Sequence, residues 1–229
     1  SLSNEGLKGG VINFPKVSVG ATESAIMTAV LAKGQTKIFN AAREPEVTDL
    51  ANCLNKAGAD IKGIGTNSLI INGVKELNKV SHTVVSDRIE AASFAIASSI
   101  TMGNVEINNI NPKNLIEFTN VLKLTGSKVE IFENSMKVSC SQKPKTHDVK
   151  TDPYPGFPTD LQAQYMALMA IANGKTLIKE TIFENRFMHV PELMRMGAKI
   201  SINHQEAEIF GVKNLKGAKV MASDLRASM

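Results

Sequence analysis

The sequence predicts an α/β fold of the α+β kind, built from repeated βαβαββ units with helices inside and sheets outside. Three observations predict it. The chain repeats itself with a period near 70 residues. Each repeat runs through strand-like and helix-like segments in the same order. One helix of each repeat is apolar or small on nearly every face. The landmarks of the repeat are glycines: Gly34 to Gly103 is 69 positions and Gly103 to Gly174 is 71, while Gly58, Gly126 and Gly197 lie 68 and 71 apart. Two sets of landmarks with matching spacing mark a structural repeat rather than chance composition.

Within each unit the elements follow from local pattern. After the first glycine comes a short alternating segment, Thr36-Lys37-Ile38-Phe39, Val105-Glu106-Ile107 or Thr176-Leu177-Ile178. Alternation with period two predicts a strand. An amphipathic helix follows. Its apolar positions are Val47, Leu50 and Leu54 in the first unit, Leu115, Phe118 and Leu122 in the second, and Val190, Leu193 and Met194 in the third. Spacings of three and four put each set on one face. The second glycine then supplies a left-handed C-terminal cap. A hairpin closes the unit, as in Lys128-Val129-Glu130-Ile131 and Met136-Lys137-Val138-Ser139 around Glu133-Asn134-Ser135. With the strand that leads into each unit, the order is βαβαββ three times.

The first helix of each unit differs. Ala25 to Ala32, Ala91 to Ile100 and Leu161 to Ala172 carry apolar or small residues on nearly all sides. Such a helix is expected to be buried all round. Ser223-Asp224-Leu225-Arg226 repeats the start of a unit just before the last residue, and Gly6-Leu7-Lys8-Gly9-Gly10-Val11 resembles the tail of one. The pattern therefore predicts a piece of a longer protein, whose missing remainder is a candidate partner.

Composition narrows the function. A formal net charge of +4, with only 5% aromatic residues and no Arg-rich stripe, gives no basis for nucleic-acid binding and suits a small anionic substrate. No apolar run approaches the roughly 20 residues of a membrane span, so no membrane partner is expected. Two cysteines, Cys53 in a helix and Cys140 in a strand, make no disulfide framework and point to a reducing cytoplasm. The four histidines show no metal-ligand spacing, and there is no phosphate-binding or dinucleotide-binding glycine motif. No metal or cofactor is expected.

Candidate site residues gather at helix starts, where backbone N–H groups and the dipole attract anions. Ser18-Val19-Gly20 carries no carboxylate, and Lys16 precedes it. Ser18 can equally serve as an ordinary N-cap. Asp87, Asp160 and Asp224 occupy equivalent N-cap positions. Asp160 stands apart because Pro153-Tyr154-Pro155-Gly156-Phe157-Pro158 precedes it, and three prolines hold a catalytic side chain at low entropic cost. Arg88, Arg186 and Arg226 lie at or just before helix starts, against the dipole. They fit either an anionic ligand or an ion pair with a neighbouring Asp.

Several longer motifs add to this reading. Lys16-Val17-Ser18-Val19-Gly20-Ala21-Thr22, Asn40-Ala41-Ala42-Arg43-Glu44-Pro45-Glu46 and Pro155-Gly156-Phe157-Pro158-Thr159-Asp160-Leu161-Gln162-Ala163-Gln164 are three of them. Phe183-Glu184-Asn185-Arg186-Phe187-Met188-His189 and Ser223-Asp224-Leu225-Arg226-Ala227-Ser228 are the others. They resemble the bacterial UDP-N-acetylglucosamine 1-carboxyvinyltransferases, the MurA-type enolpyruvyl transferases, over essentially the whole chain. The related shikimate-pathway enolpyruvyl transferases fit the proline-rich and Phe-Glu-Asn-Arg-Phe stretches less well.

The resemblance implies an inside-out α/β barrel in each of two domains of three units. Residues 1–84 would hold the end of one unit and the last unit of the first domain. Residues 85–229 would hold two units of the second domain, cut short at the C-terminus. It implies transfer of the enolpyruvyl group of phosphoenolpyruvate to the 3'-hydroxyl of UDP-N-acetylglucosamine, in peptidoglycan synthesis and in the cytoplasm. By position, Lys16, Ser18, Val19 and Gly20 match contacts to the UDP portion. Asp160 matches the base at the sugar hydroxyl, Ile182 a backbone contact to the sugar nucleotide, and Arg186 and Arg226 arginines on the phosphoenolpyruvate side. The family's early lysine and asparagine, its mobile loop and its last arginine have no counterpart here, so the isolated chain is expected to be inactive. From the residues alone, a non-catalytic repeat scaffold binding an anionic partner remains the alternative.

Overall fold

A computed structural model of the chain describes residues 6–222. They form mixed helix and sheet in two compact units that divide between Val85 and Ser86. The first unit runs β1 (Val11–Asn13), α1 (Val19–Ala29), β2 (Gln35–Phe39), α2 (Pro45–Lys56), β3 (Asp60–Lys62) and β4 (Ser68–Asn72). This is the expected βαβαββ order. Its sheet is ordered β1-β2-β4-β3, with β1 parallel to β2 across the α1 crossover and the other pairs antiparallel. Alternation works as expected: Ile38 on β2 and Leu69 and Ile71 on β4 point into a core with Ile26, Val30, Val47 and Ile61. α2 starts on Pro45, whose missing N–H costs nothing at a first helical position, and ends before Gly58 at φ +101°.

Glu23 on α1 faces Glu46 and Glu44 at the start of α2. Burial first, then these two charges, raise its pKa above the ordinary 4.5. A raised carboxyl favours the folded state when protonated, and that contribution is lost as pH rises through the folded value. Glu23→Gln is therefore expected to unfold at higher temperature than the parent at neutral pH. The difference should close well below pH 4.5, where both side chains are neutral. A thermal melt at the two pH values checks this.

The second unit contains the other two repeats. The first comprises α3 (Arg88–Ile100), β5 (Asn104–Asn108), a 3-10 turn (Pro112–Leu115), α4 (Ile116–Leu124), β6 (Lys128–Ile131) and β7 (Ser135–Ser139). The other comprises β8 (Val149–Lys150), a 3-10 turn (Thr159–Leu161), α5 (Gln162–Ala170), β9 (Lys175–Lys179), α6 (Val190–Arg195), β10 (Lys199–Asn203) and β11 (Glu206–Phe210). Two sheets result, β5-β7-β6 and β10-β11-β9-β8. α3 packs on the first sheet, α5 on the second, and the two helices pack on each other. One continuous core joins them through Ala92, Ala95, Ile96, Tyr165, Met166 and Met169. Their small residues allow this approach.

The sheets are open, and the described residues contain no closed barrel, so the structure shows the mixed α/β class without the inside-out barrel. Other expectations need correction. Among the described residues, no strand leads into the second repeat. β1 and β8 each find a parallel partner, but β5 pairs with β7 alone, and residues 79–86 pass by as irregular, largely exposed chain. The all-round burial expected of the first helices holds best for α5. α1 leaves Met27 exposed, Leu31 just beyond its end is exposed too, and α3 leaves Phe94 exposed. In the first unit the physical reason is that α1 has only one sheet to cover it. Met194, assigned to the buried face of α6, is exposed as well. Cys140 lies just beyond β7, buried, with its thiol donating to the Gln142 carbonyl, and both cysteines are free.

Candidate functional site

The proline-rich loop between β8 and α5 is held in place by its own backbone and by one aromatic ring. Asp152 N–H donates to the Phe157 carbonyl at 3.0 Å and Gly156 N–H to the Pro153 carbonyl at 2.9 Å. The Tyr154–Pro155 peptide bond is cis. Phe157, only 3% exposed, packs between Tyr165, edge-on at 5.3 Å between centroids, and Phe118 at 6.3 Å. Gly156 is required here by close approach, since a Cβ would stand 2.6 Å from that of Asp152. Gly156→Ala is expected to destabilise the second unit by about 1–3 kcal/mol. Denaturant unfolding monitored on that unit checks it.

The anchored loop delivers Thr159 and Asp160 into the 3-10 turn ahead of α5. This corrects the N-cap assignment. Asp87 does cap α3, accepting from the amides of Ile89 at 2.8 Å and Glu90 at 3.2 Å. Asp160 instead lies inside the turn whose N-cap is Pro158, while α5 itself starts from Leu161. Its Oδ1 accepts from Arg186 Nη2 at 2.9 Å. That ion pair is partly buried, with 18% of the Arg186 side chain and 24% of the Asp160 side chain exposed. The Arg186 guanidinium also lies 4.9 Å from the Phe183 ring centroid. A second arginine, Arg88, is buried at the first position of α3, with its guanidinium 5.7 Å from the Tyr154 ring on the same proline-rich loop.

Ile182 belongs to this neighbourhood through Glu180, a residue the sequence reading missed. Glu180 follows β9 and is fully buried. Its Oε1 accepts from the Ile182 amide at 2.9 Å, and its Oε2 from the Thr159 hydroxyl at 2.9 Å. The signal was available: continuing the alternation of Thr176 and Ile178 puts position 180 on the inward face.

In the first unit, Ser18 does cap α1, accepting from the Ala21 amide at 3.3 Å. The amides of Val19 and Gly20, in the first turn, precede any intrahelical bond. That turn carries no acidic residue. Lys16 and Gly20 are exposed, and a Cβ at Gly20 would meet nothing within 4 Å, so its packing does not require glycine. The N-cap and anion-binding readings of this stretch are compatible. Arg226 and Asp224 fall outside the described residues. Among the described residues, no three His, Cys, Asp or Glu side chains gather as a metal site, and no helix is long and apolar enough to cross a membrane.

Comparison with known proteins agrees with the motifs. A protein from Zymomonas mobilis named UDP-N-acetylglucosamine 1-carboxyvinyltransferase is 51% identical over 98% of this chain and 53% of its own length. Proteins of the same name from Rickettsia bellii and Acidiphilium cryptum are each 52% identical over 97% and 98% of this chain. The chain spans about half the length of these relatives. Among solved structures, the enolpyruvyl transferase NikO from Streptomyces tendae superposes with a TM-score of 0.79 at 24% identity. It covers 91% of this chain and 50% of its own. EPSP synthase from Acinetobacter baumannii gives 0.61 at 21% identity, over 90% of this chain and 49% of its own, so both show the fold alone. Residues 2–229 match the EPSP synthase (3-phosphoshikimate 1-carboxyvinyltransferase) family, and the chain belongs to it.

Proposed function

We propose that this chain is part of an enzyme that moves the enolpyruvyl group of phosphoenolpyruvate onto the 3'-hydroxyl of UDP-N-acetylglucosamine, releasing phosphate, in the first committed step of peptidoglycan synthesis. The observation that carries the proposal is the Asp160–Arg186 pair, a carboxylate on a rigid loop set 2.9 Å from a guanidinium. A base and a fork for anionic oxygens then stand side by side, as this reaction needs. In the addition step the sugar oxygen bonds to C2 of phosphoenolpyruvate, its proton passes to Asp160, and C3 gains a proton. In the elimination step C3 loses a proton and the C2–O bond to phosphate breaks.

Arg186 uses one Nη2 donor on Asp160, and its remaining N–H groups suit the carboxylate or phosphate of phosphoenolpyruvate. Arg226 would serve the same side. Lys16 and the amides of Val19 and Gly20, with Ser18, would hold the UDP phosphates. The Ile182 N–H is engaged by Glu180, which leaves the Ile182 carbonyl for the sugar nucleotide. The two units would belong to two domains of three repeats each, helices inside, with the boundary near Val85, in a cytoplasmic enzyme. Titration calorimetry of the full-length protein with UDP-N-acetylglucosamine tests the reading. Saturable one-site binding supports it. No binding supports a scaffold instead, and binding of shikimate 3-phosphate alone would assign the other branch of the family.

A further inference from the structure

We infer that Glu180 is the positioning residue of this site, setting Asp160 with one carboxylate oxygen and Ile182 with the other; the inference rests on the function proposed above. Glu180 is 1% exposed. An acid so buried is tolerated only when its oxygens are well supplied with donors. Here Oε1 accepts from the Thr151 hydroxyl at 3.0 Å and from the amides of Ile182 at 2.9 Å and Phe183 at 3.2 Å. Oε2 accepts from the Thr159 hydroxyl at 2.9 Å.

These donors come from three separate stretches: the end of β8, the loop before α5 and the turn after β9. Thr151 and Thr181 lock two of them again. The Thr181 amide donates to the Thr151 hydroxyl at 2.9 Å, and the Thr181 hydroxyl donates to the Thr151 carbonyl. The Asp160–Arg186 ion pair bridges the same two stretches that Glu180 ties together. Thr159 is the residue before Asp160, and Phe183, which stacks on Arg186, is the residue after Ile182. Glu180 therefore fixes both ends of the pair without touching either. An apolar side chain would fill the space at this inward-facing position, but only a side chain with two polar atoms at its end can hold both arms.

The two arms make separable predictions for the full-length protein. Thr159→Val cuts only the Oε2 arm. It is expected to lower kcat about 10-fold, the usual worth of a hydrogen bond to a charged group, with the KM for UDP-N-acetylglucosamine little changed. Glu180→Ala cuts both arms. It should lower kcat about 10²-fold, as small misplacements of a reacting group do, and also raise that KM. Glu180→Gln keeps an acceptor for the Oε1 donors, while its amide can donate to a turned Thr159 hydroxyl. It should recover most of the turnover that Glu180→Ala loses.

Amide hydrogen exchange at Ile182 and Phe183, which needs no activity, should quicken in Glu180→Ala and stay as in the parent in Thr159→Val. An unfolded Glu180→Ala leaves Glu180→Gln and Thr159→Val to decide. Unchanged kcat in Thr159→Val, or Glu180→Gln as poor as Glu180→Ala, would overturn the inference. A parent protein inactive with both substrates would sink the proposed function instead, and the exchange rates would still test the tether.

Discussion

Asp160→Asn in the full-length protein is expected to bind UDP-N-acetylglucosamine as the parent does and to lose turnover by about 10²–10⁴-fold, the usual cost of removing a general base. Asn keeps the shape of Asp and an oxygen able to accept from Arg186 Nη2, so the 2.9 Å contact and the turn around it can persist. What it cannot do is take the proton of the sugar hydroxyl. The loop that carries residue 160 is fixed by Phe157 and by backbone bonds that the substitution leaves alone. The loss should therefore appear in kcat and spare binding. Phosphate release within threefold of the parent would remove Asp160 from the chemistry.

Phe157→Ala is expected to cost about 3–5 kcal/mol of stability in the second unit, the range for truncating a buried aromatic. The ring is in the core, between Phe118 and Tyr165. The Tyr165 phenol cannot swing in cheaply, because its hydroxyl donates to the His147 carbonyl at 2.7 Å. Burial and the charge of Asp148 raise the pKa of that phenol, so it stays a donor. Chemical denaturation should show a lower midpoint with an unchanged slope. A loss under about 1 kcal/mol would mean that the loop is anchored elsewhere.

The features most legible in the sequence are those imposed by backbone geometry. Gly58, Gly126 and Gly197 end α2, α4 and the short α6 at φ near +100°, as their spacing indicated, because few other residues adopt that conformation without strain. The strand alternation and the hairpin register, with Ile131 opposite Met136, were equally readable. Features that depend on a partner from elsewhere were not. The missing strand before α3 depends on whether β5 finds a parallel neighbour. The exposure of Met27 and Leu31 depends on what lies across α1.

The site divides the same way. Asp160 was identified from the prolines before it, although its capping role was misassigned, because a 3-10 turn over Thr159–Leu161 occupies the place of the expected helix start. Arg186 was singled out by its charge at a helix start, and the ion pair with a neighbouring Asp was one of the two readings left open. Glu180 went unnoticed because its importance lies in four donors distributed over three stretches, and neither motif nor charge pattern marks such a convergence.

The measurement that tests the account most directly is phosphate release by the full-length protein given phosphoenolpyruvate with and without UDP-N-acetylglucosamine. The account predicts release that requires both substrates, saturates in each, and collapses in Asp160→Asn. Release that ignores UDP-N-acetylglucosamine and requires shikimate 3-phosphate, or no release with any acceptor, would contradict it.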